Sequence, residues 1–163
     1  MEALTLTHWS HHLTVIGDGS LREHLEQRAS GLGLRDRVRF APSQPRADLW
    51  SRLPDFDAFA FTTKGLEAFG LVLIEAQAHG LPIVHSDLPG VRETLGRAGL
   101  PYAPGDPHSL ARALDDLGRD AKLRTALAEA AVENARRYDI ATTSRQLREL
   151  TLTVARRSCR ASA

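Results

Sequence analysis

Thr62-Thr63-Lys64-Gly65-Leu66-Glu67-Ala68-Phe69-Gly70-Leu71-Val72-Leu73-Ile74-Glu75-Ala76-Gln77-Ala78-His79-Gly80 joins a glycine-bearing loop to an apolar run that contains a carboxylate. Leu71 to Ala78 is apolar on nearly every side of a helical wheel, which predicts a helix buried all round. Glu75 lies in the middle of it. An unpaired carboxylate there costs several kcal/mol in lost solvation, so Glu75 calls for a partner. Eight positions upstream, Glu67 lies in the loop with Gly65 and Gly70, at the N-terminus of that helix, where free N–H groups favour an anion. Two carboxylates thus bracket an anion pocket.

Strand and helix patterns alternate on both sides of this run. His12 to Ile16 reads as a short strand leading into the turn Gly17-Asp18-Gly19-Ser20, with Ser20 as cap of a helix patterned by Leu21, Leu25, Ala29 and Leu32. Val38 to Ala41 is a second strand, Ala47 to Leu53 a short helix, and Asp57 to Thr62 a third strand. After Gly80-Leu81-Pro82 come a strand at Ile83 to His85, a turn at Ser86 to Gly90, a short helix at Val91 to Leu95 and a strand at Gly99 to Tyr102. Asp106 is the N-cap and Pro107 the first residue of a helix centred on Ser109 to Leu117. Helices at Ala121 to Arg137 and Ile140 to Ala155 follow. The alternation predicts an α/β, doubly wound, mostly parallel sheet with helices on both faces, and extra helices at the C-terminus. The whole of 1–163 reads as one domain, with a core at about 12–118 and C-terminal helices at about 119–157. In such sheets ligands bind beyond the carboxyl ends of the strands, where the loops at 17–20, 62–70 and 86–90 converge.

Composition narrows the function classes. The 163 residues are 42% hydrophobic and 25% charged, the balance of an ordinary globular domain. Net charge is +1, which argues against a nucleic-acid partner. The clusters Arg35, Arg37, Arg39 and Arg156, Arg157, Arg160 read as solvated surface. The lone Cys159 leaves no internal disulfide and fits a reducing compartment. Met1 to Ser10 has no basic segment followed by an apolar core, and no run approaches the roughly 20 apolar residues of a membrane span. These features predict a cytoplasmic protein without a transmembrane segment.

Several loop residues have two readings. Gly17 and Gly19 suit a diphosphate at a helix N-terminus, or form a plain tight turn. Lys64, one of two lysines, meets a phosphate as a point charge or is simply solvated. Glu75 accepts from a ligand's hydroxyl pair or from a neighbouring backbone loop, and Glu67 contacts a ligand or is solvated. His11, His12, His79 and His85 lack zinc-ligand spacing, and His85 alone stands at a strand's carboxyl end, within reach of a ligand. There is no nucleophile elbow and no Walker-type lysine loop.

In combination, Glu67-Ala68-Phe69-Gly70-Leu71, Glu75-Ala76, Gly80-Leu81-Pro82-Ile83-Val84, Ser86-Asp87, Gly90 and Glu93 resemble the C-terminal, donor-binding domain of retaining GT-B glycosyltransferases, of the group 1, family 4 type. Glu67 and Glu75 meet that family's Glu-x7-Glu spacing. Val15-Ile16-Gly17-Asp18-Gly19-Ser20 is similar to its Gly-x-Gly turn, and Pro104-Gly105-Asp106-Pro107 to a later turn. The likeness implies a nucleotide-sugar substrate, a UDP-, GDP- or ADP-sugar, and no bound metal or other cofactor. By the same likeness Glu67 is the catalytic-site carboxylate at the sugar hydroxyls and Glu75 accepts from the ribose hydroxyls. The backbone amides of Phe69, Gly70 and Leu71 then hold sugar and diphosphate, Gly17 and Gly19 allow the diphosphate to approach, and the loop after Phe40 meets the base.

Three departures qualify it. Position 68 is Ala where the family has Gly; the family's preceding strand, with an Arg and a Lys that clamp the diphosphate, has no match in Met1 to His11; and the N-terminal acceptor-binding domain is absent. The chain therefore resembles half an enzyme, inactive alone unless a separate domain or chain binds the acceptor. A degenerate remnant serving as an interaction or regulatory module is one alternative, and a sugar epimerase of the non-hydrolysing type, sharing the architecture, is another.

Overall fold

The computed structural model describes residues 1–161. Among these residues five parallel strands alternate with helices, and two further helices close the series: α1 (Glu2–Leu6), β1 (Leu13–Ile16), α2 (Arg22–Gly31), β2 (Val38–Ala41), α3 (Arg46–Arg52), β3 (Phe59–Phe61), α4 (Leu71–Ala78), β4 (Ile83–Ser86), α5 (Pro89–Leu95), β5 (Leu100–Tyr102), α6 (Pro107–Arg119), α7 (Ala121–Ala135) and α8 (Ile140–Ala161). Short 3-10 turns follow α3 and α7. The side chains of Arg156, Arg157, Cys159 and Arg160, and so the surface and redox expectations placed on them, lie outside the described ones.

The strands do not form one continuous sheet. β1 pairs with β2, and β3, β4 and β5 pair in that order, every pairing being parallel. β4 holds the centre of the three-stranded sheet, and all four of its residues are buried. Its alternate side chains feed opposite layers, as a strand covered on both faces must. Ile83 packs with Leu73, Ala76, Val91 and Leu95 of α4 and α5, while Val84 packs with Ala113, Leu117 and Leu127 of α6 and α7. A third cluster of Leu4, Ala29, Leu34 and Val38 joins α1 to the two-stranded sheet.

Helix α1 lies in a segment for which the sequence pattern offers no helix. It is tied down by charged groups. Arg37 donates to the carbonyls of Leu4 (2.9 Å) and His11 (3.0 Å) and to the Thr7 hydroxyl (3.1 Å), so it is an internal clamp and not solvated surface. Asp115 of α6 accepts from the backbone N–H groups of His8 and Trp9. Burial alone raises the Asp115 carboxyl, but the His8 backbone and ring hydrogen bonds and the Trp9 N–H outweigh it and hold it below the usual carboxylate value.

Ser20 does not cap α2, whose N-cap position is Leu21 with no side-chain hydrogen bond. Arg22 takes over the task of closing the turn. Its guanidinium donates to Asp18 and to the carbonyls of Phe40 and Ala41, joining the β1 and β2 loops. Asp106 caps α6 as expected, accepting from His108 N–H (2.9 Å) and Ser109 N–H (3.2 Å), with Pro107 at the first turn.

His85 does not point into a ligand-accessible space. It is 3% exposed, its Nδ1 lies 3.0 Å from the Ser86 carbonyl, and a Cβ at Gly99 would meet its ring at 2.7 Å. Burial holds the His85 imidazole below its ordinary 6.5, against the smaller opposing pull of the Ser86 carbonyl. The unfolded chain therefore binds this proton more readily than the native one. Stability from His85 is complete above 6.5 and declines as pH falls from 6.5 toward the native value. Thermal melts across this window should show Tm falling on the acid side, with a shallower slope in His85→Gln; an unchanged slope would remove His85 as the cause.

Candidate functional site

The loop between β3 and α4 is shaped by its own carboxylate. Glu67 accepts through one oxygen from the backbone N–H of Phe69 (3.1 Å) and of Gly70 (2.9 Å). Gly70, at the N-cap of α4, has φ 72° and ψ 68°, the left-handed region that a side chain disfavours. A Cβ there would also meet Leu73 Cδ1 at 2.7 Å. The two amides thus form an anion-binding nest at a helix N-terminus. In this arrangement the nest holds Glu67.

The same loop is pressed from the other side by α5. A Cβ on Gly90 would sit 2.1 Å from the Glu67 carbonyl oxygen and 2.8 Å from that of Ala68. Four residues along, Thr94 Oγ1 donates to the Phe69 carbonyl at 2.7 Å. The Thr94 carbonyl in turn accepts from Asn134 Nδ2 (2.9 Å) and the Tyr138 hydroxyl (3.0 Å), and the Tyr138 ring meets Phe69 edge-on at 5.3 Å. Asn134 also donates to Gln77 of α4 at 2.8 Å. Buried polar groups of α4, α5 and α7 are thus satisfied by one another while fixing the loop.

Helix α4 is not buried all round. Leu73, Ala76 and Gln77 are its core residues, whereas Leu71 is 67% exposed and Val72 is 37% exposed. An apolar wheel marks the capacity for burial. Here the first turn of α4 lies at the rim, so only one side meets the core. Glu75, one turn further along on the side of Leu71, is 23% exposed at its side chain. Its partner is Arg46, at the start of α3, whose Nη2 lies 2.7 Å from Glu75 Oε1. Arg46 was invisible as a site residue in the sequence because α3 and α4 are joined only by the fold; the nearest signal was its place just after the loop that follows β2.

The remaining expected residues are distributed around this centre. Gly17 and Gly19 stand at the carboxyl end of β1, Gly17 with φ 146°, and a Cβ on either would meet nothing within 4 Å. The turn is open to solvent. Asp18 within it accepts from Ser43 N–H (2.7 Å) and from Arg22 (3.0 Å), so its charge is neutralised locally. Lys64 is exposed and pairs with no carboxylate among the described residues. Asp87, after β4, is held below the ordinary carboxylate value chiefly by hydrogen bonding to Arg92. A surface groove of about 600 Å³ between α2 and β2 is lined by Gln27, Arg35, Val38 and Phe40 and contains none of the expected site residues.

The chain itself matches a known family. The family model for glycosyl transferases group 1 covers residues 2–134. The chain belongs to that family. Among similar proteins, D-inositol 3-phosphate glycosyltransferase of Corynebacterium urealyticum is 38% identical over 128 residues, covering 77% of this chain and 30% of the relative. Phosphatidyl-myo-inositol mannosyltransferase of Mycobacterium leprae is 35% identical over 145 residues, 88% of this chain and 38% of the relative. In structure, Anabaena HepE in complex with UDP superposes with a TM-score of 0.84 at 28% identity, over 93% of this chain and 43% of that one. The GT-B glycosyltransferase fold is thereby assigned, and the chain spans roughly a third of the length of the curated relatives named here. No helix among the described residues is long and apolar enough to cross a membrane.

Gly90 gives the sharpest test of the loop architecture. Gly90→Ala places a methyl against two backbone carbonyls that cannot rotate away, so it should cost about 1–3 kcal/mol in denaturant melts. It should also shift the Phe69 and Gly70 amide resonances. Wild-type stability and unshifted amides would show that α5 does not press on the loop.

Proposed function

We propose that the chain is the nucleotide-sugar-binding part of a retaining glycosyltransferase that passes a sugar to an acceptor held by a separate domain or chain, in the cytoplasm. The observation that carries this reading is the Phe69–Gly70 amide nest at the N-terminus of α4, with Glu67 within the same loop and Glu75 one helical face further on. Solved relatives of the same fold include HepE with UDP-glucose, at 26% identity and a TM-score of 0.83.

In this reading the donor replaces one anion by another. Sugar or phosphate oxygens take the Phe69, Gly70 and Leu71 N–H groups, and the Glu67 carboxylate, released from the nest, accepts from the sugar hydroxyls. Glu75 accepts from the ribose hydroxyls. Gly17 and Gly19 leave room for the diphosphate and Lys64 screens it from the loop. No bound divalent metal is required, because the helix N-terminus and amides meet the charge that grows on the leaving diphosphate. The helix end itself contributes about 0.3–1 kcal/mol, less than the ~1.4 kcal/mol of one tenfold step in rate. Efficient transfer therefore requires the acceptor-binding part to enclose the site.

Two features favour a second reading, a remnant that acts only as an interaction or regulatory module. Glu67 and Glu75 both already have partners within the chain, and Met1 to His11 holds α1 instead of a strand with clamping cations. Calorimetric titration separates the readings. UDP, UDP-glucose and GDP- and ADP-sugars are titrated into the chain, with binding of at least one expected and a loss of about tenfold or more in Glu75→Ala, the scale of a charged hydrogen bond. Silence toward every donor would overturn the first reading and leave the second.

A further inference from the structure

We propose that Arg46 is a positioning residue for the nucleoside end of the donor, holding the Glu75 carboxylate in its accepting orientation; this rests on the reading of Glu75 given above. Four side chains close a ring between α3 and α4. Arg46 Nη2 lies 2.7 Å from Glu75 Oε1, and the Arg46 guanidinium carbon lies 5.4 Å from the centre of the Trp50 ring. Trp50 packs at 6.3 Å against His79, whose Nδ1 lies 2.8 Å from the Glu75 carbonyl. The ring thus begins and ends on one residue, through its carboxylate and through its backbone.

The chemistry of the carboxylate makes the ion pair compatible with ligand binding. A carboxylate offers about four lone-pair sites over its two oxygens, and the guanidinium contact lies on Oε1. Among the described residues the carboxylate has no other hydrogen-bond partner, which leaves acceptor capacity for a vicinal diol with its two O–H donors. The pair fixes the rotamer before the diol arrives, so less side-chain freedom is lost on binding. Trp50 restrains Arg46 in turn, since its ring face attracts the cation and shields it from water on one side. Arg46 itself is 65% exposed, against 23% for Glu75, so the guanidinium can be removed with little effect on the core.

A double-mutant cycle tests this, with UDP as the titrant in Arg46→Ala, Arg46→Lys, Glu75→Ala and the Arg46→Ala/Glu75→Ala pair. Arg46→Ala should weaken UDP by about fivefold, the upper end for a partly exposed ion pair. Arg46→Lys should recover part of the loss, Tm should stay near wild type, and the Arg46 effect should vanish when Glu75 is already Ala. Unchanged or tighter UDP binding in Arg46→Ala would overturn the proposal. So would a loss that persists in full without Glu75, which would mean that Arg46 touches the nucleotide directly. A second arm needs no nucleotide: NMR side-chain couplings of Glu75 should report one dominant χ1 rotamer in the wild type and averaging in Arg46→Ala. If the wild type binds no UDP, the cycle is run with whichever donor it does bind, silence toward every donor ends the functional reading, and the rotamer arm still decides whether Arg46 holds the carboxylate. Equal averaging in both proteins would refute it.

Discussion

Thr94 joins the core of this protein to its candidate site. Its hydroxyl donates to the Phe69 carbonyl, and its own carbonyl accepts from Asn134 and Tyr138. Thr94 is 1% exposed, so each of these groups would be costly to leave without a partner. The loop that carries Glu67 is therefore not an independent surface loop. Its conformation is set by three helices whose buried polar groups need it where it is.

Around this knot, the site is arranged as a set of anion and cation positions that already satisfy one another. The Phe69 and Gly70 amides hold Glu67, Arg46 holds Glu75, and Arg22 closes the turn that contains Gly17 and Gly19. In the proposed function such a preorganised site exchanges internal partners for ligand partners and does not have to order a flexible loop. The cost is competition at the nest, since an anion that takes the Phe69 and Gly70 amides must displace Glu67. Such self-satisfaction also keeps these polar groups paired within the chain itself.

Much of the fold was legible locally. Helix α4 begins and ends where the apolar run does, β2 spans the residues its pattern marks, and Asp106-Pro107 starts α6 by side-chain capping within three residues. Such features depend on period, turn chemistry and caps, which act over a few positions. Ser20 fails as a cap for a non-local reason: Arg22 finds carbonyls on β2, nineteen residues away at Ala41. The surface reading of Arg37 fails likewise, because its acceptors at Leu4 and His11 are brought to it only by folding. The split of the strands into two sheets is equally non-local, since strand order is a property of crossovers and not of strand patterns.

By itself the amino-acid sequence determined the alternating α/β class, the family and the spacing of Glu67 and Glu75, because helical period, glycine-bearing turns and motif spacing are written along the chain. The tertiary structure decided what those carboxylates meet. Glu67 faces its own amides because Gly90 lets α5 come within touching distance of the loop. Glu75 meets Arg46 because packing lays α3 beside the rim of α4. Ion pairs and close backbone approaches are set by distances in space, and no sequence spacing encodes them when the partners belong to elements with other elements between them along the chain.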